Sequence, residues 1–240
     1  MNVVVSQPRY LPAINYIQRL YYADIFVVLD NVQRQARGWE NRNKILMDGV
    51  PKWLTIPISS SSRVDIKDAN IADVSWIDTH KQALFNAYKN APCFDYGLID
   101  LYYKNVETCF CGKGASFRDV VVMTLNNCCS IFNFVPKLKL SSEIPQRLDL
   151  IGPKKIVEIC HSLGANTYIS GPNGISYGIV EAFDQIPTKV VFHEFTHPNY
   201  RQFNSINRFF PYMSFFDLVF NVGVDNASSI VRGEFHLHDN

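Results

Sequence analysis

The sequence predicts an α/β fold, and three observations carry that prediction. The chain opens with an apolar run over residues 2–6, a helical pattern over 12–23 and a second apolar run over 25–29. Strand, helix and strand within about 30 residues make a βαβ unit, whose two strands lie parallel. A second stretch of the same kind follows later, with a helix over 152–163 and short strands over 167–169 and 189–192. Between the two, residues 44–47 and 52–58 read as antiparallel strands joined by Asp48-Gly49, a dipeptide that tolerates positive φ. The expected architecture is a Rossmann-like, mostly parallel sheet with an inserted β-hairpin and a helical segment.

Each element has a local reason. Pro12 suits a first helical turn, where a missing N–H costs nothing, and Ile14, Ile17, Leu20 and Tyr21 give that helix one apolar face. Residues 59–62 are a polar loop, placed as a lid or ligand edge. The helical segment covers about 75–133 and is broken near Pro92. Its last helix, over 116–132, has Ser116 as N-cap and Phe117, Val121, Leu125 and Cys128 along one side. A short strand follows at 136–140. Gly164 ends the helix over 152–163, and Ile179 to Phe183 form a short helix. Two helices over 214–220 and 227–232 close the chain. Residues 1–223 are expected to form one domain, with a C-terminal helix and a frayed polar tail over 224–240.

Composition narrows the function. Apolar residues make up 47% and charged residues 19%, so the chain has a core and is not disordered. A net charge of +1 lacks the basic footprint of a general nucleic-acid binder. No apolar run reaches the ~18 residues that suggest a membrane span. The start, MNVVVSQPRYLP, lacks a basic n-region and a long apolar h-region, so a cytoplasmic protein is expected. The cysteines Cys93, Cys109, Cys111, Cys128, Cys129 and Cys160 lack C-x-x-C spacing and read as free structural thiols.

Four polar clusters fall at predicted strand ends, where open parallel sheets bind ligands. Gln7-Pro8-Arg9-Tyr10-Leu11-Pro12, with Tyr16 one turn on, joins the first strand to a helix N-terminus suited to phosphate or carboxylate. Asp30 ends the second strand, as a candidate base or a partner for a hydroxyl, ammonium or metal. It leads into Trp39-Glu40-Asn41-Arg42-Asn43-Lys44, where Arg42 and Lys44 share a side and suit a diphosphate, or else form a solvated basic strand. Ser170-Gly171-Pro172-Asn173-Gly174, followed by Tyr177, lets backbone N–H groups approach a ligand, although it lacks the P-loop ending. The fourth, residues 193–202, spells H-E-x-x-H at His193 and His197, but its β-like approach and Pro198 argue against the helix that a zinc site needs, so no metal is expected. His197 is the candidate general base or substrate hydrogen-bonder, with Tyr200 and Gln202 alternating beside it. Gln7, Tyr10, Asp30, Arg42, Ser170, His197 and Tyr200 are expected to line one pocket.

Together these motifs resemble the WbqC-like family. The Gln-Pro-x-Tyr-Leu-Pro signature falls at Gln7, Pro8, Tyr10, Leu11 and Pro12, followed by Tyr16. Next come Ala23, Asp24, Phe26, Leu29 and Asp30, then the Asn-Arg-Asn-Lys-Ile element at 41–45 and the strand at 53–57. The Tyr-x-Ser-Gly-Pro loop falls at 168–172 and His-Pro-x-Tyr-x-Gln at 197–202, with Ser214, Asp217, Phe220 and Asn221 last. Seven motifs in order reach from the first residues to about Gly223. Two positions depart: Ser6 stands where many members have His, and Ala13 where Trp is common.

The resemblance implies a place in O-antigen or related surface-polysaccharide biosynthesis, with transfer of glycine or a similar small acid to the amine of a nucleotide-linked amino sugar. Such an enzyme needs a base, here His197 or Asp30, oxyanion donors near Ser170 and Gly171, and Arg42, Asn43 and Lys44 at the diphosphate. Gln7, Tyr10, Tyr16, Tyr177, Tyr200 and Gln202 complete the expected substrate site. No bound cofactor is expected. The acyl donor stays open among a thioester, an aminoacyl-tRNA and an ATP-activated acid. An adenylating or nucleotidyl-transfer enzyme, and a non-catalytic sugar-nucleotide-binding protein of the same pathway, are the alternatives.

Overall fold

The computed structural model describes residues 1–59, 63–110, 114–147 and 149–233, and the backbone alone of 237–239. The expected lid at 59–62 thus lies outside the described residues but for Ser59, and so does Cys111. The chain runs β1 (Asn2–Ser6), α1 (Ile14–Tyr22), β2 (Ile25–Val28), β3 (Arg42–Met47), β4 (Val50–Thr55) and β5 (Asn70–Ile71). It continues with α2 (Trp76–Tyr88), α3 (Tyr96–Tyr103), β6 (Ala115–Ser116), α4 (Phe117–Ile131), β7 (Leu138–Leu140) and α5 (Gly152–Ser162). The last elements are β8 (Thr167–Ser170), α6 (Ile179–Phe183), β9 (Lys189–His193), α7 (Phe215–Val222), α8 (Val224–Val231) and β10 (Leu237–Asp239).

The main sheet has the order β10-β9-β8-β1-β2-β7. Five of these strands are parallel, and β10, drawn from the tail expected to fray, adds an antiparallel edge. From β1 the chain builds outward to β2 and β7, then returns to the other side of β1 for β8 and β9. The order reverses between β1 and β8, the position where open α/β sheets bind ligands.

Strand alternation makes two cores. Val4, Phe26, Val28, Ile169 and Val191 face one side, with α1, α2, α3, α4, α7 and α8. Val3, Val5, Ile25, Val27 and Phe192 face the other, with Ile159 and Cys160 of α5 and Ile179 and Phe183 of α6. Both faces are covered, so β1 and β2 read as unbroken apolar runs. α8 sends Ala227 and Val231 into the larger core, packed with the rest of the chain. Cys128, Cys129 and Cys160 are buried free thiols whose pKa burial pushes up, as inert structural cysteines require.

The hairpin β3–β4 turns through Asp48 and Gly49, both at positive φ (52° and 75°). α1 starts two residues later than the sequence suggests, because the chain before it is held out of helix. Leu11 has φ 46°; its N–H donates to the Tyr102 hydroxyl (3.0 Å) and its carbonyl accepts from the Asn43 side chain.

Two buried histidines make the fold acid-sensitive. His80 Nδ1 hydrogen-bonds the Tyr10 hydroxyl at 2.7 Å, and its ring also bonds the Thr55 backbone. His193 Nε2 meets Gln18 Oε1 at 2.7 Å. Burial lowers the pKa of each from 6.5 to about 4. The unfolded chain therefore binds more protons between those values. The stability from the neutral rings is full above pH 6.5 and is lost as pH falls towards 4, up to about 3 kcal/mol for His80 and less for His193. Urea melts between pH 7 and pH 4 should show this fall, and His80→Gln should flatten it. An equally steep fall in that variant would assign the acid sensitivity elsewhere.

Candidate functional site

A cleft of about 550 Å³ opens at the carboxyl ends of β1 and β8, at the reversal of strand order. Ser6 and Gln7 line it from the end of β1, Ser170 and Gly171 from the end of β8, and Gly152 and Pro153 from the N-terminus of α5. A second lobe of about 340 Å³ shares Ser6, Gln7, Arg9, Gln35, Asn173 and Tyr177 with it and reaches Trp39 and Glu40. The two lobes are thus one continuous surface.

The electrostatics of the larger lobe are one-sided. Arg9, Arg19 and Lys155 line it, and among the described lining residues there is no Asp or Glu. Arg19 is 8% exposed. Its guanidinium lies 5.4 Å from the centre of the Tyr16 ring, and that of Arg9 lies 5.7 Å from the same ring. Among the described residues, neither arginine has an ion pair or hydrogen bond. Burial lowers the Arg19 pKa, and neighbouring Arg9 lowers it further, although the Tyr16 hydroxyl opposes this. Lys155 donates to the Asn31 carbonyl at 2.7 Å, and burial lowers its pKa too. A hidden guanidinium without a counter-charge is costly unless an anion arrives. Two forked donors and a helix N-terminus beside them suit a phosphate or diphosphate.

Small residues make room for this. A Cβ on Gly171 would sit 3.2 Å from Arg19 Nη1, and one on Gly174 would collide with Ser170 Oγ. The loop of β8 therefore presses its backbone against the arginine, as its glycines suggest.

The structure brings together four of the expected site residues, Gln7, Ser170, Gly171 and Tyr177. Tyr16 lies just beneath them, buried, donating to the Gln7 carbonyl at 3.0 Å and backing both arginines. The others lie elsewhere, so the single shared pocket is not formed. Tyr10 is buried among Tyr102, Tyr103 and Trp76 and bonds His80 and Tyr103, so it anchors the helical segment. Asp30 is fully buried. It accepts from Ser141 Oγ (2.9 Å) and from the Ser142 N–H (2.9 Å) and Oγ (2.7 Å), with Arg118 at 3.7 Å. It ties the end of β2 to the turn after β7 and does not line the cleft.

Arg42 and Lys44 do share a side, but they stack on Trp53 at 4.2 and 4.9 Å, outside both lobes, and Arg42 also donates to the Arg37 carbonyl. Asn43 is buried and serves the backbone of Leu11 and Lys44. His197 lies apart from the cleft with both ring nitrogens engaged. Nε2 accepts from the Tyr212 N–H at 3.0 Å, so Nδ1 carries the proton, 2.9 Å from the Pro198 carbonyl. Burial lowers its pKa, opposed by the Pro198 carbonyl and Asp217. Tyr200 and Gln202 donate to buried Asp217, both at 2.7 Å. His193 ends a strand and the residues to His197 are not helical, so H-E-x-x-H here is not the zinc-binding helical form.

Sequence reasoning missed Arg9 as a candidate ligand group, and Arg19 and Lys155 altogether. The available signal was weak: Arg19 stands one turn from Tyr16 on the first helix of a βαβ unit, within an apolar pattern.

Comparison with known proteins identifies the chain at the level of family. No solved structure matches the chain. An uncharacterised Mycobacterium tuberculosis protein, Rv1507c, is 26% identical over 231 residues, covering 93% of this chain and 95% of that protein. A sequence model of the WbqC-like protein family matches residues 7–229, from the end of β1 into α8, and the chain belongs to that family.

Proposed function

We propose that the protein holds a nucleotide-linked amino sugar by its diphosphate in the switch-point cleft and transfers glycine or a similar small acyl unit to the sugar amine, for surface-polysaccharide assembly. The observation that supports it most is the pair Arg9 and Arg19, which among the described residues have no ion pair and share a lobe with Lys155 and no acid. In this reading the protein works in the bacterial cytoplasm, where an activated acyl donor meets the sugar nucleotide. Ser170 and Gly171 stand beside the cations as candidate donors to the developing oxyanion.

Thermal shift with UDP- and dTDP-linked sugars is the direct test. A specific ligand at a hundredfold excess over its dissociation constant should add about 2.7 kcal/mol. The shift should shrink with added salt, as for any site built on phosphate contacts. A shift with ATP and none with sugar nucleotides would overturn the sugar assignment in favour of an adenylating enzyme. A sugar-nucleotide shift without acyl transfer from thioester, aminoacyl-tRNA or ATP-activated donors would leave a binding protein of the same pathway.

A further inference from the structure

The smaller lobe differs from the larger one in carrying an acid, Glu40, beside the shared Arg9. Glu40 is the one acid among the described residues lining the two lobes. It is 2% exposed. Its Oε1 accepts from the Gln35 N–H at 3.3 Å, and its Oε2 is buried with no hydrogen-bond partner. No ion pair reaches it among the described residues. A hidden carboxylate oxygen without a donor is rare in native proteins and calls for a missing partner.

The loop is built around that carboxylate. A Cβ on Gly38 would lie 1.6 Å from Glu40 Oε2, so a side chain at 38 would displace the carboxylate from its present place. Two exposed aromatics share the lobe, Trp39 at 37% and Tyr177 at 70%. The Trp39 ring already meets Arg9 at 5.9 Å and Lys44 at 5.7 Å, whereas an acid with the Tyr177 face nearby suits an ammonium group, through a charged hydrogen bond and cation–π attraction. Arg9 stands between this lobe and the anion site, lining both.

We propose that the smaller lobe is an ammonium subsite in which Glu40 is the counter-ion for the amino group of the ligand whose diphosphate sits on Arg9 and Arg19; this rests on the anion-site reading above. The two lobes then sort the ligand by charge, phosphate to one side of Arg9 and amine to the other. This would select an amino sugar over the same sugar bearing a hydroxyl or an already acylated nitrogen.

The test is calorimetric titration of the protein with UDP, and with UDP- and dTDP-linked sugars carrying the amine at C2, C3 or C4, each beside its hydroxyl and N-acetyl counterparts. At least one amine should bind about tenfold more tightly than its counterparts, the size of a charge-assisted hydrogen bond. Glu40→Gln should erase that preference and leave UDP affinity within about twofold. Gly38→Ala, whose methyl takes the place of Oε2, should do the same. Nucleotide binding with no preference for any amine in the wild type overturns the Glu40 assignment alone, whatever the variants do. A preference that survives Glu40→Gln in a folded protein overturns it as well. Failure of every nucleotide, UDP included, removes the anion site and this proposal with it.

Discussion

Replacing Arg19 by Met is expected to weaken sugar-nucleotide binding about 10- to 100-fold while leaving the free protein as stable as before or more so. The binding loss follows from removing a hydrogen bond to a charged group, about 1.5–3 kcal/mol. The stability gain has a separate cause. Arg19 is buried without a counter-ion and beside Arg9, so the empty site carries both a desolvation cost and a like-charge repulsion. Replacing buried charge by an apolar side chain of similar length commonly stabilises a protein, here on the order of 1 kcal/mol. Arg19→Lys keeps the charge but loses the planar fork, and should bind between the two. Calorimetric titration with UDP and urea melts without ligand check the pair of effects. A destabilised Met variant with unchanged nucleotide affinity would make Arg19 a packing residue over Tyr16 and remove the main support for the anion site.

Asp217→Ala should cost about 3–5 kcal/mol, the scale for breaking a buried charged network. In a chain of this size that lowers the melting temperature by on the order of 10 °C. The reason is the number of donors that converge on one buried carboxylate. The Tyr88 hydroxyl donates to Oδ1 at 3.1 Å, and Tyr200 and Gln202 donate to Oδ2. Tyr88 in turn accepts from the Leu46 N–H of β3 at 3.0 Å. One carboxylate therefore joins the hairpin, the end of α2, the loop of residues 194–214 and α7. Removing it orphans three donors at once. Burial raises the Asp217 pKa, and the bonds from Tyr200, Gln202 and Tyr88 oppose that rise, as expected for a carboxylate kept in place by its donors. Asp217→Asn should cost less, since one acceptor oxygen remains. Thermal melts of both variants decide it; a loss under about 1 kcal/mol for Asp217→Ala would show the donors finding other partners.

That network also explains a misreading. Polar residues at strand ends read as ligand groups in the sequence, and several are ties between elements in the structure. Tyr10, Asp30, Asn43, Tyr200 and Gln202 each satisfy another part of the chain. Residue type and spacing cannot separate these roles, because a buried tie and a ligand contact demand the same donors and acceptors. Only the partner tells them apart. Arg19, the strongest candidate for a ligand group, is not legible in the sequence for the converse reason: on a helix it looks like an ordinary solvated charge, and what makes it unusual is having no ion pair or hydrogen bond among the described residues.

The sequence by itself determined the parallel sheet, the hairpin and the helical segment, because those follow from local patterns. Unbroken apolar runs made the buried strands, Asp48-Gly49 turned the hairpin, and Ser116 capped α4, accepting from the Asp119 N–H at 3.3 Å. It also placed the Ser170-Gly171 loop at a strand end, where the cleft is found. The tertiary structure alone decided which charged groups lack an ion pair among the described residues. Arg9, Arg19 and Glu40 stand out only once β8 returns beside β1 and the surrounding donors and acceptors have been matched to one another. Satisfaction of a buried charge depends on residues far apart in the chain, so no local pattern encodes it.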